Sequence, residues 1–327
     1  MFWSVIILSV VFVMTYSIFN WIISRLKISK FHEKYILITG CDSGFGQALS
    51  MRLDYLGFHV FAGCLTKDGC TYLSERASGR LFPFLMDVTK SESIEQALKI
   101  VKEKLPIDRG LWGLVNNAGV ARMMGNLEFC TMEDYQKVLN VNLFGLIEVT
   151  RIFLPLIRRA HGRIVNMSSV SGRIAVAGGP YCCSKYGVEA FSDILRQEVY
   201  SQNIRVSIIE PGNFKTNIVD VDTMVEEMKR AYERASPEVQ SVYGNDYVDS
   251  FRGLITEVKS TGSPDINPVL DDITHALTAR VPYTRYIPGN DVKYILVPLS
   301  YLPDWIVDWV MRTIKTRRSQ IEKNKST

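Results

Sequence analysis

The 327 residues, 47% hydrophobic and 22% charged, supply enough apolar side chain for one large core and exclude a disordered chain. The formal net charge is +4, and the basic residues gather near the two ends, in Arg25, Lys27, Lys30 and Lys34 and again in Arg312, Lys315, Arg317 and Arg318. That distribution suits a lipid headgroup surface and argues against nucleic acid as a partner. Six cysteines (Cys41, Cys64, Cys70, Cys130, Cys182 and Cys183) have neither the density of a stapled secreted scaffold nor a zinc-binding spacing, and they read as free thiols in a reducing compartment.

Phe2 to Ile23 is a run of 22 residues without a charge, which as a helix reaches ~33 Å, enough for the ~30 Å hydrocarbon layer. Residues 1–25 are therefore expected to form a transmembrane or membrane-anchor helix. A cleaved signal peptide is the competing reading, but no basic segment precedes the run and no small-residue cleavage site follows it. With the basic residues after the span, the charge rule places the catalytic body in the cytosol.

From Tyr35 to about Glu210, short apolar runs alternate with amphipathic segments, the pattern of a parallel sheet wrapped by helices. Strands are predicted at Tyr35 to Thr39, His59 to Cys64, Leu81 to Met86, Leu111 to Asn116, Arg163 to Met167 and Ile204 to Ile209. Helices are predicted at Gln47 to Leu56, Ser91 to Lys104, Met132 to Arg159 and Tyr181 to Tyr200, with the chain reversal to the far half of the sheet assigned to the stretch ending at Arg159. The fold class expected is α/β, a doubly wound parallel sheet in one domain over 33–290.

Residues 213–265 read as a helical insertion that covers a ligand at the sheet's carboxyl edge. Residues 291–327 form an apolar segment and basic tail. Within it Leu302, Trp305, Ile306, Trp309, Val310 and Ile314 recur at helical spacing opposite Asp304 and Asp308, as an ordinary docked helix or one lying in a membrane interface.

Gly40, Asp42, Ser43, Gly44, Phe45 and Gly46 lie in a turn that leaves the first strand and opens the first helix of the sheet, so backbone amides and helix dipole can meet a pyrophosphate. Tight strand-to-helix turns use glycine for packing alone, so the companions matter. Asp87 and Val88 follow the third strand, placed for an adenine, and Asn116, Ala118 and Gly119 end the fourth, beside the crevice. Tyr181 and Lys185 stand four apart on one helix. A phenol with an ordinary pKa near 10 is a poor base unless a cation stabilises its phenolate, and Lys185 supplies one, joined by the positive ring of an oxidised nicotinamide. A shift of about three units, ~4 kcal/mol, would match neutral pH. Taken singly, such a pair is ordinarily a surface pair; behind a nucleotide loop it points to one site.

TGCDSGFG (39 to 46), NNAG (116 to 119), Asn142 in NVNLFG, Ser169 in NMSSVSG, YCCSK (181 to 185) and PGNFKT (211 to 216) resemble the short-chain dehydrogenase/reductase family over about residues 35 to 219. Their wording is similar to the branch of retinol and hydroxysteroid dehydrogenases. The resemblance implies a Rossmann-type fold, an alcohol or carbonyl substrate, and cofactor contacts from Tyr181, Lys185, Pro211, Gly212 and Thr216. It implies that Ser169 holds the substrate oxygen, with Ser168 as the rival one residue away, and that Asn142 positions a water for the lysine. It also implies a homo-oligomer built through two long helices.

Asp42 in the glycine turn would repel a 2′-phosphate, which favours NAD; Lys67 after the second strand could serve a phosphate, so NADP stays open. His32, His59, His161 and His275 are scattered without a ligand partner, and no metal is expected. Asn166-Met167-Ser168 and Asn324-Lys325-Ser326 match the glycosylation pattern, the first in a core strand and the second a reporter of topology. The expected function is hydride transfer between a nicotinamide cofactor and an apolar alcohol, a retinol or hydroxysteroid, at the endoplasmic reticulum membrane. The alternative is a membrane-bound nucleotide- or lipid-binding protein without redox turnover.

Overall fold

A computed structural model describes residues 2–122, 125–290 and 292–313. Seven parallel strands, β1 (Tyr35–Thr39), β2 (His59–Cys64), β3 (Leu81–Leu85), β4 (Gly113–Asn116), β5 (Arg163–Met167), β6 (Arg205–Ile209) and β7 (Arg285–Tyr286), form one sheet in the order β3-β2-β1-β4-β5-β6-β7. β1 is buried on both faces, as a central parallel strand must be: Ile36 and Ile38 join one core cluster and Leu37 the other. Pro83 lies in β3, an edge strand, where a missing N–H costs no ladder bond.

Ten helices of the sheet and its covering layers follow α1 (Phe2–Arg25): α2 (Gly44–Tyr55), α3 (Lys67–Arg76), α4 (Ser91–Lys104), α5 (Met132–Leu139), α6 (Leu146–Arg159), α7 (Gly179–Glu198), α8 (Val221–Arg234), α9 (Pro237–Tyr243), α10 (Tyr247–Thr261) and α11 (Asn267–Thr278), with a short α12 (Val297–Leu299) beyond them. Leu49 and Leu53 of α2, Leu73 of α3 and Val269, Ile273 and Leu277 of α11 cover one face of the sheet. Ile94 and Val101 of α4, Val149 and Phe153 of α6 and Leu195 of α7 cover the other. Both halves of the sheet are thus wound, and the predicted fold class holds.

The chain reversal was expected in the stretch ending at Arg159, and the structure puts it elsewhere. β3 is an edge strand and the next strand, β4, pairs with β1, so the crossing falls to α4. Met132–Arg159 instead runs on as one helical stretch, widened by a π turn at Asn140–Gly145. It is long and apolar enough to cross a membrane, yet Val149, Phe153 and Ile157 are fully buried in the core. β7, two residues long, was not anticipated.

The insertion leaves the sheet after β6 and closes on itself, with a bridge between Phe214 and Ser263 and a bond from Asn213 Nδ2 to the Val258 carbonyl at 2.6 Å. Met224, Val225, Met228 and Ala231 of α8 meet Phe251 and Ile255 of α10, with Phe129 and Tyr181 from the body. Beside the starts of β4 and β5, where Trp112 and Arg163 donate to the Leu277 and Ala276 carbonyls, the chain just past α1 joins the body by a bridge between Lys27 and Ala279, and Trp3, Leu8 and Phe12 along α1 are exposed. Its 24 residues span ~36 Å.

The carboxyl segment differs from the single helix expected. Pro298 and Pro303 divide it into a π turn at Val292–Leu296, α12, and a helix over 304–313. Val307, Val310 and Met311 dock on Val170, Ile174, Val297 and Leu299, whereas Trp305 (74% exposed) and Trp309 (66%) face outward, so Trp305 and Trp309 do not share the docked face with Val310. Ile314 and the basic tail lie outside the described residues.

Phe153 is fully enclosed between α4, α6 and the sheet. Phe153→Ala is expected to cost about 3–5 kcal/mol of stability, read as a fall in the midpoint of denaturant unfolding.

Candidate active site

At the carboxyl ends of β1 and β4 the strand order reverses, and a crevice opens between them. Gly40 turns the chain there with φ +69°; a Cβ on it would stand 2.7 Å from Ala118 Cα. A Cβ on Gly46 would stand 2.3 Å from the Gly40 carbonyl, so this turn admits no side chain at either place. Ser43 precedes α2 in extended conformation without bonding the helix through its side chain, which leaves the first amides of α2 directed at the crevice. Asn117 fastens the turn: its Nδ2 donates to the carbonyls of Thr39 and Gly40, each at 2.9 Å, while Thr39 Oγ1 accepts from the amides of Asn117 and Ala118 at 3.1 and 3.0 Å. From the other side Thr216 lies against Gly44, and the Phe214 ring meets Phe45 edge-on at 5.9 Å. Pro211 offers its carbonyl to the Val170 amide at 3.0 Å, and the Gly212 amide donates to Pro288 at 3.4 Å. This narrow, glycine-lined cradle fits the pyrophosphate of a dinucleotide.

The residues expected around it are placed unevenly. Asp42 accepts from the amides of Leu65 and Thr66, both at 2.8 Å, and from Thr66 Oγ1 at 2.6 Å, so its carboxylate stands at the end of β2. Asp87 sits at the end of β3; burial raises its pKa, but bonds from Thr89 and the nearby Lys90 outweigh burial and leave it low. Val88 is buried, and Gly145 lets the π turn pass close to its carbonyl. Asn116 does not line the crevice with its side chain. Its Nδ2 points into the protein, donating to Thr150 Oγ1 and Asn166 Oδ1, both at 2.9 Å, because β4 is flanked by β5 and α6 on that side. Its neighbour Asn117 is the one whose side chain turns to the glycine turn. The second glycosylation pattern, at Asn324, lies outside the described residues, and the first is buried in β5 as expected.

Tyr181, Lys185 and Ser169 converge beside Gly119. Lys185 Nζ is 5.7 Å from the centre of the Tyr181 ring and donates to the Met167 carbonyl at 2.9 Å. A Cβ built on Gly119 would lie 3.8 Å from that nitrogen, an ordinary contact distance, so the loop after β4 passes beside the ammonium. Ser169, not Ser168, faces the phenol: its hydroxyl hydrogen-bonds Tyr181, while Ser168 turns back toward the Lys185 carbonyl at 3.4 Å. β5 alternates its faces, and the turn at Val170–Gly172 keeps the two serines on opposite sides.

Burial governs both titrating groups. It pushes the Tyr181 phenol up to about 12, with the Ser169 bond pulling the other way, and it lowers Lys185 to about 8 against the opposing charge of Glu189. In the chain by itself, desolvation of the phenolate is the largest influence on Tyr181; the expected shift toward neutrality calls on the positive ring of an oxidised nicotinamide as well as on Lys185. The Asn142 side chain is held by the loop after β4 and by α7. Its Oδ1 accepts from the Val120 amide at 2.8 Å and its Nδ2 donates to the Val120 carbonyl at 2.9 Å and to Ser184 Oγ at 3.0 Å. Its amide clamps the loop after β4 to α7, and Ser184 completes the clamp by donating to the Tyr181 carbonyl at 2.7 Å. Ser184 was not singled out from sequence, although its place directly before the lysine was the available signal. A cleft of about 190 Å³ lies between Gly119, Val120 and Ala121 and the insertion's Ile218 and Met224.

Residues 34–226 match the family model described as short chain dehydrogenase. The chain is 44% identical over 305 residues to 17-beta-hydroxysteroid dehydrogenase type 6 of Rattus norvegicus, covering 93% of this chain and 96% of that protein. It is 47% identical over 284 residues to retinol dehydrogenase 7 of Mus musculus, covering 87% and 89% respectively. Among solved structures, a short chain dehydrogenase/reductase from Burkholderia phymatum in complex with NAD superposes with a TM-score of 0.68 at 20% identity, over 82% of this chain and 93% of that one. With more than half its length matched by the family model, and that match ending in the insertion that follows the cradle, the chain belongs to the short-chain dehydrogenase family.

Proposed function

We propose that the chain oxidises an alcohol of an apolar substrate, a retinol or a hydroxysteroid, to its carbonyl, with NAD as hydride acceptor. The observation that carries this reading is the convergence of Tyr181, Ser169 and Lys185 beside a cradle too tight for any residue but glycine. Relatives with both substrate names resemble the chain almost equally, which supports the class and leaves the choice between them to a substrate panel.

A bound oxidised nicotinamide supplies the acceptor for the hydride that leaves the carbinol carbon. Gly40, Ser43, Gly44, Phe45 and Gly46 would hold its pyrophosphate, Asp87 and Val88 its adenine end, and Ala118, Gly119, Pro211, Gly212 and Thr216 the opposite end. Ser169 Oγ holds the substrate oxygen by hydrogen bond, and Tyr181 Oη takes the hydroxyl proton. Lys185 lends its charge to the phenolate. Since burial holds the phenol high, oxidation speeds up with rising pH as the phenolate fraction grows. Carbonyl reduction needs the neutral phenol and is favoured at lower pH. The apolar inner side of α8 and α10 suits an apolar substrate and excludes water from these groups.

The carboxylate of Asp42 at the end of β2 supports NAD over NADP, because it would repel a 2′-phosphate. The length and apolar character of α1, with Tyr301, Trp305 and Trp309 exposed on the carboxyl segment, support attachment to the endoplasmic reticulum membrane with the body in the cytosol. Exposed Phe144, Tyr186 and Ile194 on the outer side of the long helical run and α7 support a homo-oligomer through that face, which sedimentation in detergent measures.

Tyr181→Phe is expected to lower kcat for alcohol oxidation by about 10²–10⁴-fold while NADH binding, followed by fluorescence, persists; full turnover in this variant would overturn the proposal. Asp42→Asn is expected to shift the ratio of kcat/KM for NAD over NADP by about tenfold toward NADP. In microsomes, Asn324 is expected to carry no glycan, so that endoglycosidase leaves the protein's mobility unchanged; a glycan there would place the body in the lumen.

A further inference from the structure

One turn beyond Lys185 on α7, Glu189 is buried among charges drawn from three other parts of the chain. Arg285 of β7 pairs with Glu189 and reaches Glu210 at 2.6 Å and Asp193 at 2.7 Å. Glu210 closes β6 directly before Pro211 and is fully buried; Arg173 stands 3.5 Å from its second oxygen and donates to the Tyr301 hydroxyl at 2.7 Å. Asp193 is held further by Arg196 at 3.0 Å. Ser168, at the end of β5, faces Glu189 and stabilises its charged form. A Cβ on Gly172 would come within 3.0 Å of Glu189 Cγ and 2.7 Å of Ser168 Oγ, so glycine allows the strand end to close on the carboxylate.

Two carboxylates buried side by side are not a device for stability: desolvating them costs as much as the guanidinium returns, and apolar residues of the same volume would serve as well. Glu189 also acts on a group outside the cluster. Burial and the neighbouring Glu210 push it up to about 7, and its charge opposes the burial that lowers Lys185. Asp193, on the same helix but a turn farther along, is engaged by Arg285 and Arg196. Among the described residues, Glu189, one helical turn along α7, is the carboxylate whose charge opposes the effect of burial on Lys185.

We propose that Glu189 is a positioning residue for the reaction: braced by Arg285, its carboxylate keeps Lys185 charged, and through Ser168 it seats the strand end that presents Ser169. The inference rests on the proposed pairing of Lys185 with Tyr181, and its test is independent of turnover. Competitive acetylation of the cofactor-free protein across a pH series, read by mass spectrometry on the peptide holding Lys185, gives that amine's titration midpoint. In Glu189→Gln the midpoint is expected about half a unit or more lower than in the wild type. Glu189→Asp, which keeps the charge but withdraws it by one methylene, shifts the midpoint less in the same direction and carries the test if the glutamine variant does not fold. An unmoved midpoint in the folded variants overturns the inference even if activity falls, because a merely structural role predicts that result. A shifted midpoint combined with full activity of Tyr181→Phe would sustain the role of Glu189 and overturn the catalytic reading instead.

Discussion

Lys185 carries a charge into a part of the protein that water does not reach, and much of the surrounding chain is arranged to hold it there. A bare ammonium would lose its proton on burial at this depth. The Met167 carbonyl accepts a hydrogen bond from it, and Glu189 opposes the loss. The same burial that threatens the ammonium keeps the adjacent phenol neutral. A neutral phenol beside a reluctant cation is a pair whose proton moves when further charge or a substrate oxygen arrives, which is what reversible alcohol oxidation requires.

Such a pair works only if its backbone does not shift. The ends of β1 and β4 are pinned through Thr39 and Asn117, and the loop that follows is pinned to α7 through Asn142 and Ser184. The π turn is part of this arrangement. One wide turn at Asn140–Gly145 interrupts the helix where Asn142 clamps Val120, in keeping with the use of such turns at functional sites. Gly145 in that turn allows contact with Val88, so the chain after β3 and the loop after β4 are braced by neighbouring residues of one element.

The covering layer has a different character from the sheet. Its interior is methionine and aromatic, with Phe129 packed among Tyr232, Tyr243 and Tyr247, and it closes by a single bridge at its base. Flexible thioethers and ring faces accommodate apolar shapes without fixing one, consistent with relatives that act on such different molecules as a retinol and a steroid. The carboxyl segment docks beside this layer on the loop that bears Ser169, and Arg173 joins it to Glu210 through Tyr301.

By itself, the sequence determined six of the seven strands to within a residue or two, the glycine turn and the spacing of tyrosine to lysine, because each is a local pattern of period or of φ that needs no distant partner. The tertiary structure alone decided the rest. The crossing lies at α4 because pairing, not helix length, sets which strand is the edge. Asn116 turns inward and Asn117 outward because β5 and α6 flank β4 on one side only, and Ser169 is distinguished from Ser168 by how the chain turns after β5 at Val170–Gly172. The two-residue β7 is too short for any periodicity, and Arg285 pairs with Glu189 across 96 positions; charges at that separation are brought together only by the packing of strands, which no local pattern encodes.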